Sequence, residues 1–382
     1  MPFEEWVRVT ETSTGGPSAT VLDARTAPTS VPNGPGVNHL GYRGRSDQQV
    51  PGWSRWWVIT EVGVRRAWQS RWLRRMMIFA WLPAVWFGVG FFIWEQAALY
   101  PEWRQMLTPF LRGMPQTPEL EGLRSSMATG DLETSRHAVW AWLLQSFFRY
   151  PQAVLMVMVV GVIAPPLISQ DIRSRAFLLY FSRPLTRAEY LFGKVASLWA
   201  YLAVISTIPA LALYLLGVLL SPSLNVITAT WDLPLRIIGA SIVLMLPTSV
   251  LALCFSSMTQ ESRYAGFAWF AIWILGWFTY GAATSADAFN AGHEAYQAQQ
   301  DGQFQQDGQF RRGGRRFNRA TIVTRESHWT HLSLYHTLGR VQRWIFGFAK
   351  FEDVMVSTAI LSALTVVSLG ITYYKISAPM RV

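Results

Sequence analysis

Residues 165–194 read PPLISQDIRSRAFLLYFSRPLTRAEYLFGK, and this stretch decides the fold because it connects two long, apolar, charge-free segments. Pro165 and Pro166 each lack a backbone N–H, so we expect them to kink or end the apolar helix that precedes them. Asp171 is a good N-cap residue, which predicts a short amphipathic helix over 171–181. The connection is therefore predicted to be structured rather than a solvated loop.

The second half of this stretch predicts a break followed by a new helix. Pro184 disfavours helical geometry at Arg183, so the chain is expected to turn there. Thr186 and Glu189 have the spacing of a capping box and predict the start of the next apolar helix. Within that helix, Lys194 is expected to extend its ammonium group back to the lipid headgroups.

Two interpretations of this arginine-rich connection stay open. A short interfacial helix with a stiff exit is suited to docking against another protein. The alternative is an elbow on the lipid surface, because segments that combine apolar residues with arginine bind anionic membranes without a protein partner.

The rest of the chain is dominated by apolar segments. Of the 382 residues in the whole chain, 51% are hydrophobic and 15% are charged. This composition gives more apolar surface than one soluble core can bury. A helix crosses a bilayer with about 20 consecutive apolar residues. Such windows lie near 76–97, 152–170, 195–220, 237–258, 264–284 and 354–374. The predicted fold class is an all-α integral membrane protein with six transmembrane helices and interfacial amphipathic helices.

Basic residues predict the orientation of these helices. Several arginines precede the first window: Arg65, Arg66, Arg71, Arg74 and Arg75. Further basic residues fill the connection between the second and third windows. By the positive-inside rule both regions are cytoplasmic, and six crossings then place both termini in the cytoplasm. Residues 56–73 mix tryptophan with arginine and predict a helix in the membrane interface.

Composition divides the chain into two regions. Residues 1–55 are rich in Gly, Pro, Ser and Thr, which predicts a disordered polar tail without a cleaved signal peptide, and residues 56–382 form one six-span domain. Loops over about 98–151 and 285–353 then face outwards, with amphipathic segments at 138–148 and 336–348 on the outer leaflet. A hexapeptide at 299–304 is repeated at 305–310 before an Arg/Gly run, which predicts a flexible insert. No nucleic-acid partner is expected.

Few side chains in the predicted spans are able to carry chemistry. No ionisable residue lies in the middle of a window, and Glu95 stands at the end of the first. Ion-coupled carriers and intramembrane hydrolases depend on such groups, so an external energy source is favoured. Gly193 and Lys194 are not part of a phosphate-binding loop, because Ala188 stands where the first glycine belongs and Val195 where the hydroxyl belongs.

Catalytic, cofactor and metal sites are not predicted either. His328, His331 and His336 lack a companion carboxylate or thiolate at a ligand spacing, and the single cysteine, Cys254, lies inside an apolar run.

Three motifs in the connection resemble the segment after the second span of ABC-2 type permeases. They are Ile168-Ser169-x-Asp171-x-Arg173, Tyr180-x-Ser182-Arg183-Pro184-Leu185-x-Arg187 and Tyr190-x-x-Gly193-Lys194. The resemblance extends more loosely over 55–382. It implies that two six-span subunits pair as a homo- or heterodimer, each contacting a separate ABC-type ATPase through interfacial helices. The implied ATPase-coupling residues are Asp171, Arg173, Arg175, Arg183, Pro184, Arg187, Tyr190, Gly193 and Lys194.

The leading hypothesis is therefore the permease subunit of an ATP-driven exporter in the bacterial cytoplasmic (inner) membrane. It is not itself an enzyme on this interpretation, because ATP is hydrolysed on the partner subunit. A non-transporting membrane scaffold that assembles other proteins is the alternative. A secondary carrier or membrane enzyme is a third, which an essential acid at membrane depth would favour.

Overall fold

Helices make up all the regular structure in the part of the chain that the structure describes: residues 55–100, 102–105, 132–176, 185–223, 225–304 and 328–377. In this computed structural model they are α1 (Arg55–Trp68), α2 (Arg71–Phe79), α3 (Leu82–Leu99), α4 (Leu132–Phe147), α5 (Ala153–Arg173), α6 (Arg187–Leu202), α7 (Ile208–Leu220), α8 (Asn225–Ala229), α9 (Leu233–Met258), α10 (Ser262–Phe304), α11 (Leu334–Ile345) and α12 (Phe351–Ser377). Residues 1–54 of the predicted tail, the second hexapeptide copy and the Arg/Gly run lie outside the described residues.

Six helical segments are long and apolar enough to cross a membrane, and each contains one of the predicted windows. They are Arg71–Leu99, Ser135–Arg173, Arg187–Leu220, Leu233–Met258, Ser262–Asn290 and Phe351–Ser377, called spans 1 to 6 below. The predicted fold class is confirmed. The helix expected over 56–73 is divided in two, because Ser70 caps α2 by accepting a hydrogen bond from the Leu73 backbone N–H.

Span 2 begins well before the predicted window, because α4 continues into α5, and the position of 138–148 on the outer leaflet stays a prediction. Trp140, Leu144 and Phe147 are fully buried in the helix bundle, where α4 packs against α3 and α7. A π turn at Phe148–Gln152 joins α4 to α5 and contains Pro151. Because a π turn accommodates an extra residue, the helix continues past a proline that would disrupt regular α-helical bonding.

Span 2 also passes through Pro165 and Pro166, so of the predicted kink or end the structure excludes the end, and the predicted N-cap at Asp171 is wrong because α5 runs on to Arg173. Ser256 of α9 supports the turn that follows the prolines. Its Oγ accepts hydrogen bonds from the backbone N–H groups of Ile168 and Ser169, each at 3.1 Å, and donates to the Pro165 carbonyl at 2.6 Å. A hydroxyl from a neighbouring span thus satisfies backbone groups next to the prolines, as membrane helices containing proline require.

The predicted outward region 285–353 is largely helical in its described parts. α10 runs on to Phe304, so the first hexapeptide copy is helical rather than part of a flexible insert. The predicted amphipathic segment 336–348 coincides mainly with α11, which buries Leu338 and Val341. α11 ends at Ile345, and Gly347 just beyond it has a left-handed φ of +88°, which suits glycine. Its position on a leaflet stays a prediction.

Replacing Ser256 with alanine tests the contact between spans 2 and 4. The variant leaves backbone groups of α5 without their hydroxyl partner, and we expect a loss of about 0.5–2 kcal/mol of stability. The measurement is the midpoint of thermal unfolding in detergent. Ser285→Ala is the matched control, because the Ser285 hydroxyl is exposed and donates only to the Ala282 carbonyl of its own helix. Equal midpoints for the two variants would contradict this role of Ser256.

Candidate functional site

The candidate site begins where α1 lies along α6 at the start of span 3. Three hydroxyl groups donate hydrogen bonds to backbone carbonyls across this contact. Thr60 donates to Gly193 at 3.2 Å, Ser197 donates to Thr60 at 3.3 Å, and Tyr201 donates to Val64 at 2.5 Å. Since apolar side chains gain little by leaving lipid for protein, such bonds and close backbone packing determine which helices associate.

Gly193 allows this close approach. A Cβ atom at this position would lie 2.8 Å from Ile59 Cβ and 2.9 Å from the Trp56 carbonyl oxygen. Both distances are too short for any side chain. The glycine of the third motif is therefore required because α1 occupies the space beside it.

Asp171, Tyr190 and Lys194 form a buried polar cluster where α5 ends and α6 begins. Asp171 Oδ2 lies 2.7 Å from Lys194 Nζ and accepts a hydrogen bond from the Tyr190 hydroxyl at 2.7 Å. The side chains of Lys194 and Asp171 are only 9% and 6% exposed. Lys194 does not extend to the headgroups as predicted, because the buried carboxylate attracts it into the bundle.

Two arginines of the predicted coupling set reach other spans. Arg173 Nη1 lies 3.5 Å from Glu261 Oε1, just before α10. Arg187 Nη1 donates to Ser377 Oγ at 2.9 Å, at the end of α12. One end of the connection is thus linked to the start of span 5, and the other to the end of span 6.

The predicted capping box is confirmed. The Thr186 hydroxyl accepts from the Glu189 backbone N–H, and the Glu189 carboxylate accepts from the Thr186 backbone N–H. Arg175 follows α5 with φ of +53°, a left-handed conformation that non-glycine residues adopt mainly in turns. Arg183 and Pro184 lie outside the described residues, so their role stays a prediction.

The sequence interpretation missed a group of charges because it assigned 98–151 to a loop. Glu95 is fully buried, with Oε1 3.3 Å from Arg136 Nε and accepting from the Trp140 indole at 3.1 Å. His137 lies 2.9 Å from Asp232, just before α9. Burial raises the pKa of Asp232, but hydrogen bonds from His137 and Arg236 outweigh this effect and lower it overall. A helical register for 132–147 would have revealed these pairs.

The histidines considered as metal ligands have other contacts. The His336 ring stacks on Tyr280 with centroids 3.5 Å apart. Burial and the charge of Arg149 lower the pKa of His336 to about 4, so it is neutral at pH 7. Within the described ranges, no three His, Cys, Asp or Glu side chains are grouped to hold a metal ion.

A sequence-family model described as ABC-2 family transporter protein matches residues 82–376. The match begins with α3 and ends in the last turn of α12, so it includes all or most of every span. The chain belongs to the ABC-2 transporter family. Neither the curated proteins nor the solved structures give a match. Family membership and the six spans make this chain a multi-pass membrane protein and a permease subunit of an ABC transporter. α1 precedes the matched range, yet it packs on α6 inside that range.

A mutant cycle tests the buried cluster of this ABC-2 permease. Lys194→Met leaves the Asp171 carboxylate buried without its cation, and breaking such a pair costs about 3–5 kcal/mol. Asp171→Asn with Lys194→Met removes both charges, so we expect it to recover much of the loss. The measurement is thermal unfolding in detergent for both single variants and the double variant. Additive losses in the double variant would show that the two charges do not interact.

Gly193→Ala tests the packing of α1 on α6. The added methyl group meets Ile59 and the Trp56 carbonyl, so α1 has to move, and we expect a cost of about 1–3 kcal/mol. Gly370→Ala is the matched control, because a Cβ there meets no atom within 4 Å. Unfolding midpoints should fall for Gly193→Ala and stay unchanged or rise for Gly370→Ala. The opposite order would contradict the close approach.

Proposed function

We propose that this ABC-2 permease subunit exports its substrate with energy from a separate cytoplasmic ABC-type ATPase, which docks at the connection 171–194. We place it in the bacterial cytoplasmic (inner) membrane, paired with a second permease subunit. The observation that supports the proposal most directly is that both ends of the connection are anchored in one buried cluster. Asp171 belongs to the end of span 2, and Tyr190 and Lys194 belong to the start of span 3.

Anchored ends are what a coupling element needs. A displacement of a mobile loop is lost in loop motion, whereas a displacement of packed helices is passed to their neighbours. Here α5 packs on α9 and α10, and α6 packs on α1. Arg173 and Arg187 add contacts to the ends of spans 5 and 6. A partner that pushes on the connection would therefore act on several spans together.

The charges inside the bundle favour an external energy source. The acids buried in the described spans are Glu95 and Asp171, and each lies beside a base, Arg136 or Lys194. Both acids lie within a few residues of the end of their span, whereas the ionisable groups that bind a coupling ion lie near the middle of the membrane. We expect no catalytic residue in this chain.

Exposed apolar faces are consistent with a lipid environment and with a second permease subunit. On α10, Phe267, Trp277 and Phe278 are 75%, 67% and 71% exposed. Aromatic surface of that extent is unfavourable in water.

Cysteine labelling tests the proposed orientation. Ser174 follows span 2 and Ser223 follows span 3, so these two exposed serines are expected on opposite sides of the membrane. The native Cys254 is buried. We expect a membrane-impermeant maleimide to label Ser223→Cys in intact cells and Ser174→Cys only after the membrane is opened. Labelling of Ser174→Cys in intact cells would invert the topology and place the connection away from any cytoplasmic ATPase.

Co-purification tests the ATPase partner. The tagged chain is purified in mild detergent, the bound proteins are identified by mass spectrometry, and ATP hydrolysis is measured. We expect an ABC-type ATPase to co-purify. The double variant Arg183→Ala, Pro184→Ala should still insert but lose at least about tenfold of the transport supported per ATP hydrolysed.

Arg65→Ala is the matched control for that variant, because Arg65 is exposed and pairs with Glu61 on its own helix. Unchanged coupling in the double variant would remove the connection from the coupling pathway. A chain that purifies alone and without ATPase activity would instead favour the membrane scaffold.

A further inference from the structure

An apolar groove lies between α1 and α5, at the end of span 2 that carries the connection. Its volume is about 360 Å³, and its sides include Val58, Val62 and Val162. These valines are 50%, 57% and 42% exposed, so the groove is open where they lie. Leu73 and Ile163 also line it, and both are buried.

The groove leads to a polar end lined by Arg66, Gln170, Asp171 and Lys194. A second cleft of about 440 Å³ shares Arg66 and Gln170 with it and adds Arg173 and Ser174. The two clefts thus meet at Arg66. The combined site has an apolar channel at one end and two arginines at the other.

The charges at this polar end do not balance. Asp171 is neutralised by Lys194, and Arg173 lies near Glu261. Arg66 is exposed and forms no ion pair with an acid within the described residues, although it lies close enough to Lys194 for the two charges to repel each other. An anion bound at Arg66 and Arg173 would relieve this repulsion.

The dimensions indicate what kind of anion fits. From Val162 to Gln170 the groove follows α5 for about 12 Å, at 1.5 Å per residue. A soluble protein would have to insert an apolar segment of that length between α1 and span 2. A lipid already has an acyl chain for the channel and a phosphate for the arginines, which bind phosphate with paired hydrogen bonds.

We propose that this groove binds one anionic glycerophospholipid, with an acyl chain between α1 and α5 and its phosphate at Arg66 and Arg173. Basic pockets between membrane helices bind acidic lipid headgroups for this reason. The bound lipid fills the space between α1 and span 2, so it supports the packing of α1 beside the buried Asp171 cluster. Binding needs no ATPase, so this inference stands or fails separately from the proposed function.

Lipid counting by native mass spectrometry tests the proposal. The full chain is purified in detergent and titrated with phosphatidylglycerol or with phosphatidylcholine of the same acyl chains. We expect one tightly bound phosphatidylglycerol and at least about tenfold weaker phosphatidylcholine, because both lipids carry the phosphate but only phosphatidylcholine adds a cation beside the two arginines. Arg66→Ala should weaken phosphatidylglycerol about tenfold, and Arg65→Ala should leave it unchanged.

Two further measurements separate a lipid from other occupants. Val162→Trp fills the channel and should abolish tight binding, whereas Val154→Trp, an exposed position of the same helix outside the groove, should not. Glycerol phosphate without acyl chains should not compete at equal concentration. Equal affinity for both lipids, tight binding by Val162→Trp, or competition by glycerol phosphate would each overturn the proposal. Unfolding midpoints are compared so that a misfolded variant is not counted as a loss of binding.

Discussion

The buried contact between Asp171 and Lys194 is the interaction on which the arrangement around the connection depends. A carboxylate inside a helix bundle is tolerated only with a partner, and here an ammonium group and the Tyr190 hydroxyl both reach the same oxygen. This requirement brings the start of span 3 against the end of span 2. Once α6 is held there, its small and hydroxyl residues face α1, and Gly193 lets the two backbones approach. The position of α1 therefore depends on an ion pair between α5 and α6.

Small residues and hydroxyl groups have the same role elsewhere in the bundle. At Gly161 a Cβ would lie 2.4 Å from the Phe270 ring, and at Gly217 it would lie 3.0 Å from Phe91 and Trp140. Ser256 joins spans 2 and 4 through backbone groups. In lipid, burying an apolar side chain contributes little because the tails are equally apolar, so contacts of this kind give the bundle its specific pairing. Large apolar residues are correspondingly free to face outwards, as on α10.

The sequence predicted each span because charge-free length is a property of single segments. It also predicted the capping box, whose residues are three positions apart. It failed where the outcome depends on a residue distant in sequence. Proline chemistry indicated a kink or an end of the helix at Pro165, but the helix continues, and Ser256, 91 positions away, bonds backbone groups of the turn that begins there. Lys194 was expected at the surface because nothing local showed that Asp171 would be buried beside it. Treating 98–151 as one loop hid the pair of Glu95 with Arg136.

Spans 2 and 3 each contain a π turn, Phe148–Gln152 and Ala203–Thr207, and the two turns contact each other. Between these turns and the connection, both helices are fixed by the Asp171 cluster, by Ser256 and by α1. A force on the connection therefore meets closely packed helix until it reaches the turns. A π turn interrupts the regular α-helical hydrogen bonding, and such turns occur frequently at functional sites. If an ATPase moves the connection, the paired π turns are where spans 2 and 3 would yield, deep in the bundle rather than at its surface.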